Sequence, residues 1–142
     1  VITEVGKKAA GEVLDPLLAL RQIESDLEAG AEHVILEGRE SGRGAGLYDA
    51  QGRFRDDDVE LIVAGLPDPD RVVWEAPLKE QQQALIARCG PNVSLGNVAP
   101  GDILALEALR RGLRSDTLRL ALPTCADLPL WYDNRSSRYD RG

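Results

Sequence analysis

Residues 30–42 read Gly30-Ala31-Glu32-His33-Val34-Ile35-Leu36-Glu37-Gly38-Arg39-Glu40-Ser41-Gly42, or GAEHVILEGRESG. A glycine closes what precedes it, a short aliphatic run follows, and the run ends at an acid among glycines and arginine. A helix stop, a strand of buried character and a polar loop, in that order, describe the joint between two βα units. Upstream, Asp15-Pro16 reads as an N-cap with proline at the first helical position, and Leu17, Leu20, Ile23 and Leu27 recur at helical spacing. Val1–Val5 supplies a strand before that helix. Downstream, Asp49-Ala50-Gln51-Gly52 marks a turn, and Asp56-Asp57-Asp58 opens a helix carrying Val59, Leu61, Ile62 and Leu66.

The same order repeats to residue 113. Arg71–Glu75 reads as a strand, Lys79–Arg88 as a helix ended by Gly90-Pro91, and Asn92–Gly96 as a fourth strand. Pro100-Gly101-Asp102 starts the last helix, with Ile103, Leu106, Leu109 and Leu113 expected to face inward. Four strand-helix units predict an α/β domain with parallel strands and right-handed crossovers. Beyond about Leu122 the composition shifts to Pro, Cys, Trp, Tyr and Arg, so 121–142 reads as a mobile tail.

The chain has 142 residues, 43% hydrophobic and 29% charged, with a formal net charge of −7. That balance argues against a general binder of nucleic acid or of acidic membranes. No apolar run suffices to span a bilayer, and no signal-peptide pattern opens the chain. Cys89 and Cys125 lack metal-ligand spacing and read as unpaired thiols in a reducing cytoplasm. There is no methionine, and Val1 opens directly into a strand, so a fragment of a longer chain is expected.

Aligned by their ends, the strands read Ile2-x-Glu4, Ile35-x-Glu37, Val73-x-Glu75 and Leu95-x-Asn97. Residues two apart share a strand face, so each strand is expected to end in an apolar residue and then an acid or amide. In parallel neighbours these groups gather at the carboxyl ends, where α/β folds keep their active sites. Strand ends are also solvent-exposed, and any one glutamate there has an ordinary reading. Three in phase favour function, because clustered carboxylates must be paired or bind a metal. An all-oxygen set points to Mg²⁺ over Zn²⁺.

Cations lie in the same loops: Lys7 and Lys8 after Glu4, Arg39 and Arg43 after Glu37, Lys79 after Glu75. Acids and bases around one rim suggest a metal with an anionic substrate. A helix start after Gly96-Asn97 offers backbone N–H groups to phosphate or sulfonate, and ordinary capping accounts for Pro100-Gly101-Asp102 equally well. The glycines of residues 42–46 do not have dinucleotide-fingerprint spacing. His33, the only histidine, opens a strand at the end away from the acids and reads as structural.

The segments TEVGKK (3–8), EGRESG (37–42), WEAPLKEQQ (74–82), GPNVSLGN (90–97) and LEALRRGLRSDTL (106–118) together resemble the phosphosulfolactate synthase family. The resemblance covers nearly all of residues 1–120 and implies a TIM-type (β/α)8 barrel, of which this chain holds the last four βα units, its C-terminal half. It implies Mg²⁺-dependent addition of sulfite to phosphoenolpyruvate, giving (2R)-phospho-3-sulfolactate on the way to coenzyme M or a related sulfolactate product. Lys7 is then the expected acid; Glu4, Glu37 and Glu75 the expected metal ligands; Arg39, Arg43, Gly96 and Asn97 the expected substrate contacts. Two other readings remain open: another Mg²⁺-dependent enolate or phosphoenolpyruvate enzyme on the same barrel, and a non-catalytic half-barrel. A half-barrel exposes two strand edges, which points to a homo-oligomer or to pairing with the missing half.

Overall fold

A computed structural model describes residues 1–6, 13–115 and 117–118. Lys7, Lys8, Cys125 and the 121–142 tail lie outside the described residues. The elements are β1 (Ile2–Val5), α1 (Pro16–Glu28), β2 (His33–Leu36), α2 (Asp56–Gly65), β3 (Val72–Glu75), α3 (Lys79–Cys89), β4 (Ser94–Gly96) and α4 (Ile103–Arg110), with 3₁₀ turns at Pro69–Arg71 and Pro100–Asp102. The four strands form one parallel sheet in the order β1-β2-β3-β4. Right-handed crossovers that always advance the same way put every helix on one face of the sheet. This is the arrangement of part of a TIM-type barrel; a doubly wound sheet would reverse its order.

Burial follows that geometry. Val5, Val34, Leu36, Val72 and Trp74 are buried on the helix side, against Ala19 and Ile23 of α1, Ile62 of α2 and Leu85 of α3. The opposite face carries Ile2, which is 60% exposed, Glu4, exposed, and the half-buried Ile35 and Val73.

Local chemistry explains the helix starts. The Asp15 Oδ1 atom accepts from the Leu17 and Leu18 N–H groups at 2.9 and 3.1 Å, with Pro16 at the first helical position. Three aspartates fill the first turn of α2, the positive end of its dipole. At α3 the Gln81 side chain reaches back to the Leu78 N–H at 3.1 Å.

Two inward faces expected from periodicity are only partly inward. Leu109 is buried and Leu106 packs on the core, while Ile103 and Leu113 are 60% and 78% exposed. Leu17 is likewise exposed, and Ala19 and Ile23 hold α1 to the sheet. The cause is position: among the described residues α1 packs chiefly on α2 and α4 chiefly on α3. Leu113 also follows Gly112, whose φ of 64° turns the chain out of α4.

Candidate active site

The strand register decides which polar groups meet. Ile35 lies opposite Val73, which sets Glu37 level with Glu75, and Glu75 lies opposite Gly96. Glu4 pairs with Ile35, so it stands one pleat below the Glu37 level on the uncovered face. Gly6 takes the place beside Glu37; a Cβ on it would lie 3.1 Å from the Glu37 Cβ. The four strand ends are therefore staggered, as the tilt of strands in a barrel requires. Alignment by last residues assumed flush ends, which put Glu4 two residues too far along and Asn97 one residue short; Leu95 lies opposite Trp74 and packs on the helix-side core, out of phase with Val73.

A cleft of about 680 Å³ opens at the carboxyl ends of β2, β3 and β4. It is lined by Glu37, Arg39, Glu40, Ser41, Glu75 and Asn97. Of the expected site residues it thus gathers Glu37, Arg39, Glu75 and Asn97. Gly96 sits in the sheet beside Glu75 without lining the cleft. Arg43 is exposed and packs its Cγ against Gly52, off the lining. Lys79 pairs with Asp102 at 3.1 Å. His33 begins β2 opposite Ile2, at the far end from the cleft, as its structural reading expects.

The carboxylates are held, not loose. Glu37 is 6% exposed. The Glu75 Oε2 atom accepts from the Gly38 N–H at 2.8 Å, which ties β3 to the loop after β2. That approach demands glycine: a Cβ at position 38 would lie 2.6 Å from Tyr48 Cε2 and 2.7 Å from the Glu75 carbonyl oxygen. Tyr48 is buried with its hydroxyl donating to that same carbonyl. Arg39 and Asn97 both take the left-handed backbone conformation, at φ 61° and 57°. Non-glycine residues rarely adopt it, and such positions concentrate at functional sites.

The long segment between β2 and α2 is a built loop. Tyr48 and Phe54 form an antiparallel bridge with ring centroids 4.8 Å apart. The Arg55 guanidinium donates to the Gly46 carbonyl at 2.7 Å and the Leu14 carbonyl at 3.3 Å. Sequence reasoning weighed neither Tyr48 nor Gln81. A lone tyrosine between glycines and a glutamine on an amphipathic helix carry no local signal of burial.

The first turn of α4 lies apart from this cleft. A 3₁₀ turn separates Asn97 from α4, and Asp102 at the N-cap makes no capping hydrogen bond. Its carboxylate already offsets the positive helix end and binds Lys79, which disfavours an anion there.

As to a metal, no group of three His, Cys, Asp or Glu side chains is placed to hold one among the described residues. Glu37 and Glu75 share the cleft, and Glu4 stands off it. Two carboxylates suit Mg²⁺, which keeps several waters and takes its other ligands from substrate oxygens.

Residues 1–116 match the family model described as (2R)-phospho-3-sulfolactate synthase (ComA). The phosphosulfolactate synthase of Methanothermobacter thermautotrophicus is 48% identical over 120 residues, 83% of this chain and 46% of that protein. That of Methanocaldococcus jannaschii is 44% identical over 121 residues, 82% of this chain and 47% of its own length. That of Bacillus subtilis is 45% identical over 128 residues, covering 84% and 48%. The chain spans about half the length of these curated relatives.

Proposed function

Because the chain belongs to the (2R)-phospho-3-sulfolactate synthase family, we propose that it carries part of the active site of a lyase-type enzyme that joins sulfite to phosphoenolpyruvate. The observation that supports this reading is the cleft where Arg39 meets Glu37, Glu75 and Asn97. One cation, the strand-end carboxylates of Glu37 and Glu75 and the loop carboxylate of Glu40 would suit an anionic substrate bound together with a metal.

In this reading the sulfite sulfur attacks the methylene carbon of phosphoenolpyruvate. The electron pair of the C=C bond moves onto the adjacent carbon and its carboxylate. A proton delivered to that carbon completes (2R)-phospho-3-sulfolactate. Arg39 orients the substrate carboxylate or sulfite, and Asn97 holds the phosphate end. Glu37 and Glu75 are the two proposed Mg²⁺ ligands, directly or through water, and Glu4 drops out of the set. Magnesium bound there would supply electrostatic stabilisation to the enolate-like charge. The Gly38 N–H fixes one Glu75 oxygen, so the carboxylate is aimed before substrate arrives. Lys7 remains the proposed acid, in the segment that follows β1. We place the reaction in the cytoplasm, with its product feeding coenzyme M or a related sulfolactate. The remaining four βα units of the barrel, the N-terminal half, are proposed to complete the site.

Carbon NMR with [3-¹³C]phosphoenolpyruvate tests the proposal. The vinyl resonance should give way to a sulfonated methylene only when sulfite and Mg²⁺ are present. Arg39→Ala should cut the rate by at least tenfold, and Lys7→Ala should abolish turnover while substrate still binds. Phosphoenolpyruvate consumed equally well without sulfite would instead support a different enolate reaction.

A further inference from the structure

The geometry points to Gln81 as a positioning residue for the anion-binding turn of this cleft, an inference that rests on Arg39 being an anion contact. Gln81 is 1% exposed on α3. Its Nε2 atom donates to the Gly42 carbonyl at 2.7 Å and to the Gly52 carbonyl at 2.8 Å. Its Oε1 atom accepts from the Leu78 N–H at 3.1 Å. One amide thus joins the start of α3 to both ends of the loop from Gly42 to Gly52, and its two donated bonds are buried, where an unpaired carbonyl is costly.

What it joins matters for the site. The Gly42 N–H donates to the Arg39 carbonyl at 3.0 Å, closing a tight turn over Arg39, Glu40, Ser41 and Gly42. Three residues of that turn line the cleft. At Gly42, with φ 61°, a Cβ would meet Pro77 Cγ at 2.8 Å and the Gln81 amide at 2.9 Å. The turn is therefore seated directly on the glutamine, and Arg39 holds its left-handed conformation at the other end of it. The bonds of Gln81 go to backbone groups, so it acts through the backbone of the turn. Small displacements of an anion contact cost binding steeply.

The test compares wild type with Gln81→Met, which keeps volume and loses all three bonds, and Gln81→Glu, which keeps the acceptor and loses both donors. Gly42→Ala disturbs the same seat from the turn side and guards against a Gln81 variant that fails to fold. Phosphoenolpyruvate affinity is measured by calorimetry on the folded fraction, and exchange of the Gly42 amide by NMR. We expect faster exchange of the residue 42 amide and a Kd raised at least tenfold in each variant. Folded variants whose Kd stays within twofold of wild type would overturn the inference whatever their melting temperature, and so would wild type that binds no phosphoenolpyruvate. Wild type that binds it yet makes no sulfonate would refute the proposed reaction alone, and the affinities of the variants would still decide the role of Gln81.

Discussion

Tyr48 places a phenol where only its neutral form is comfortable. Its hydroxyl donates to the Glu75 carbonyl, and the ring lies within a Cβ's reach of Gly38. Burial first, and the nearby Glu75 charge second, push its pKa up from 10.0. Below pH 10 the phenol is protonated in both folded and unfolded chains, and its stabilisation is fully present. As pH rises past 10, the unfolded chain sheds the proton while the folded one keeps it. The unfolded state then binds fewer protons, so stability falls with pH. Tyr48→Phe should cost about 1–2 kcal/mol near neutrality, the net value of the lost hydrogen bond plus a carbonyl left without its donor. The gap between wild type and variant should shrink between about pH 9 and pH 11. Urea unfolding at several alkaline pH values reads both effects, and a gap that stays constant would show that Tyr48 does not titrate this way. Lys79→Ala should be far milder. Its 3.1 Å bridge to Asp102 sits on a half-exposed side chain, and such pairs contribute roughly 0–1 kcal/mol.

At the scale of elements, periodicity and position make separate statements, and α1 shows both. Leu17 and Ile23 belong to the same helical stripe in the sequence, yet Ile23 is fully buried and Leu17 is 56% exposed. Ile23→Ala should destabilise by about 2–5 kcal/mol, the range for a large side chain removed from a packed core. Leu17→Ala should stay within roughly 0.5 kcal/mol, as surface changes do. Comparing urea midpoints for the two variants checks the contrast, and equal losses would mean that α1 packs differently. Element order and type were legible because caps, periodicity and turn residues are local signals: Asp15-Pro16, the Asp56–Asp58 turn and Gly90 each mark a boundary seen in the structure. Register was not legible, because stagger arises from the tilt of neighbouring strands and leaves no mark within one strand. That is why flush alignment sets Glu4 two residues too far along and Asn97 one residue short, although Glu37, Arg39, Glu75 and Asn97 line one cleft. Arg43 lies off the cleft lining for a related reason. A loop's composition shows that it carries cations, and only its internal bridges show which way each one leaves the backbone.

The molecule as a whole ends on both sides in chemistry that asks for a partner. Strands β1 and β4 each have one neighbour in the described sheet, so each presents a row of unpaired backbone groups. The helices beside those edges expose apolar side chains: Leu17 and Leu18 on α1, Ile103 and Leu104 on α4. The sheet face away from the helices adds Ile2 at 60% exposure. In a closed eight-stranded barrel such edges and faces are covered, and the chain spans about half the length of its relatives. The net charge of −7 opposes association but is spread over the whole chain, whereas the apolar residues are concentrated at the two edges. The 15.4 kDa chain on its own should therefore self-associate. Sedimentation velocity across a concentration series should show species heavier than the monomer, with their share rising with concentration. Leu18→Glu with Leu104→Glu places a charge beside each open edge without touching the buried core. That double variant should shift the distribution back toward monomer while keeping its far-ultraviolet circular dichroism. A wild-type chain that stays monomeric at every concentration would mean that the edges are closed by something other than a second polypeptide surface.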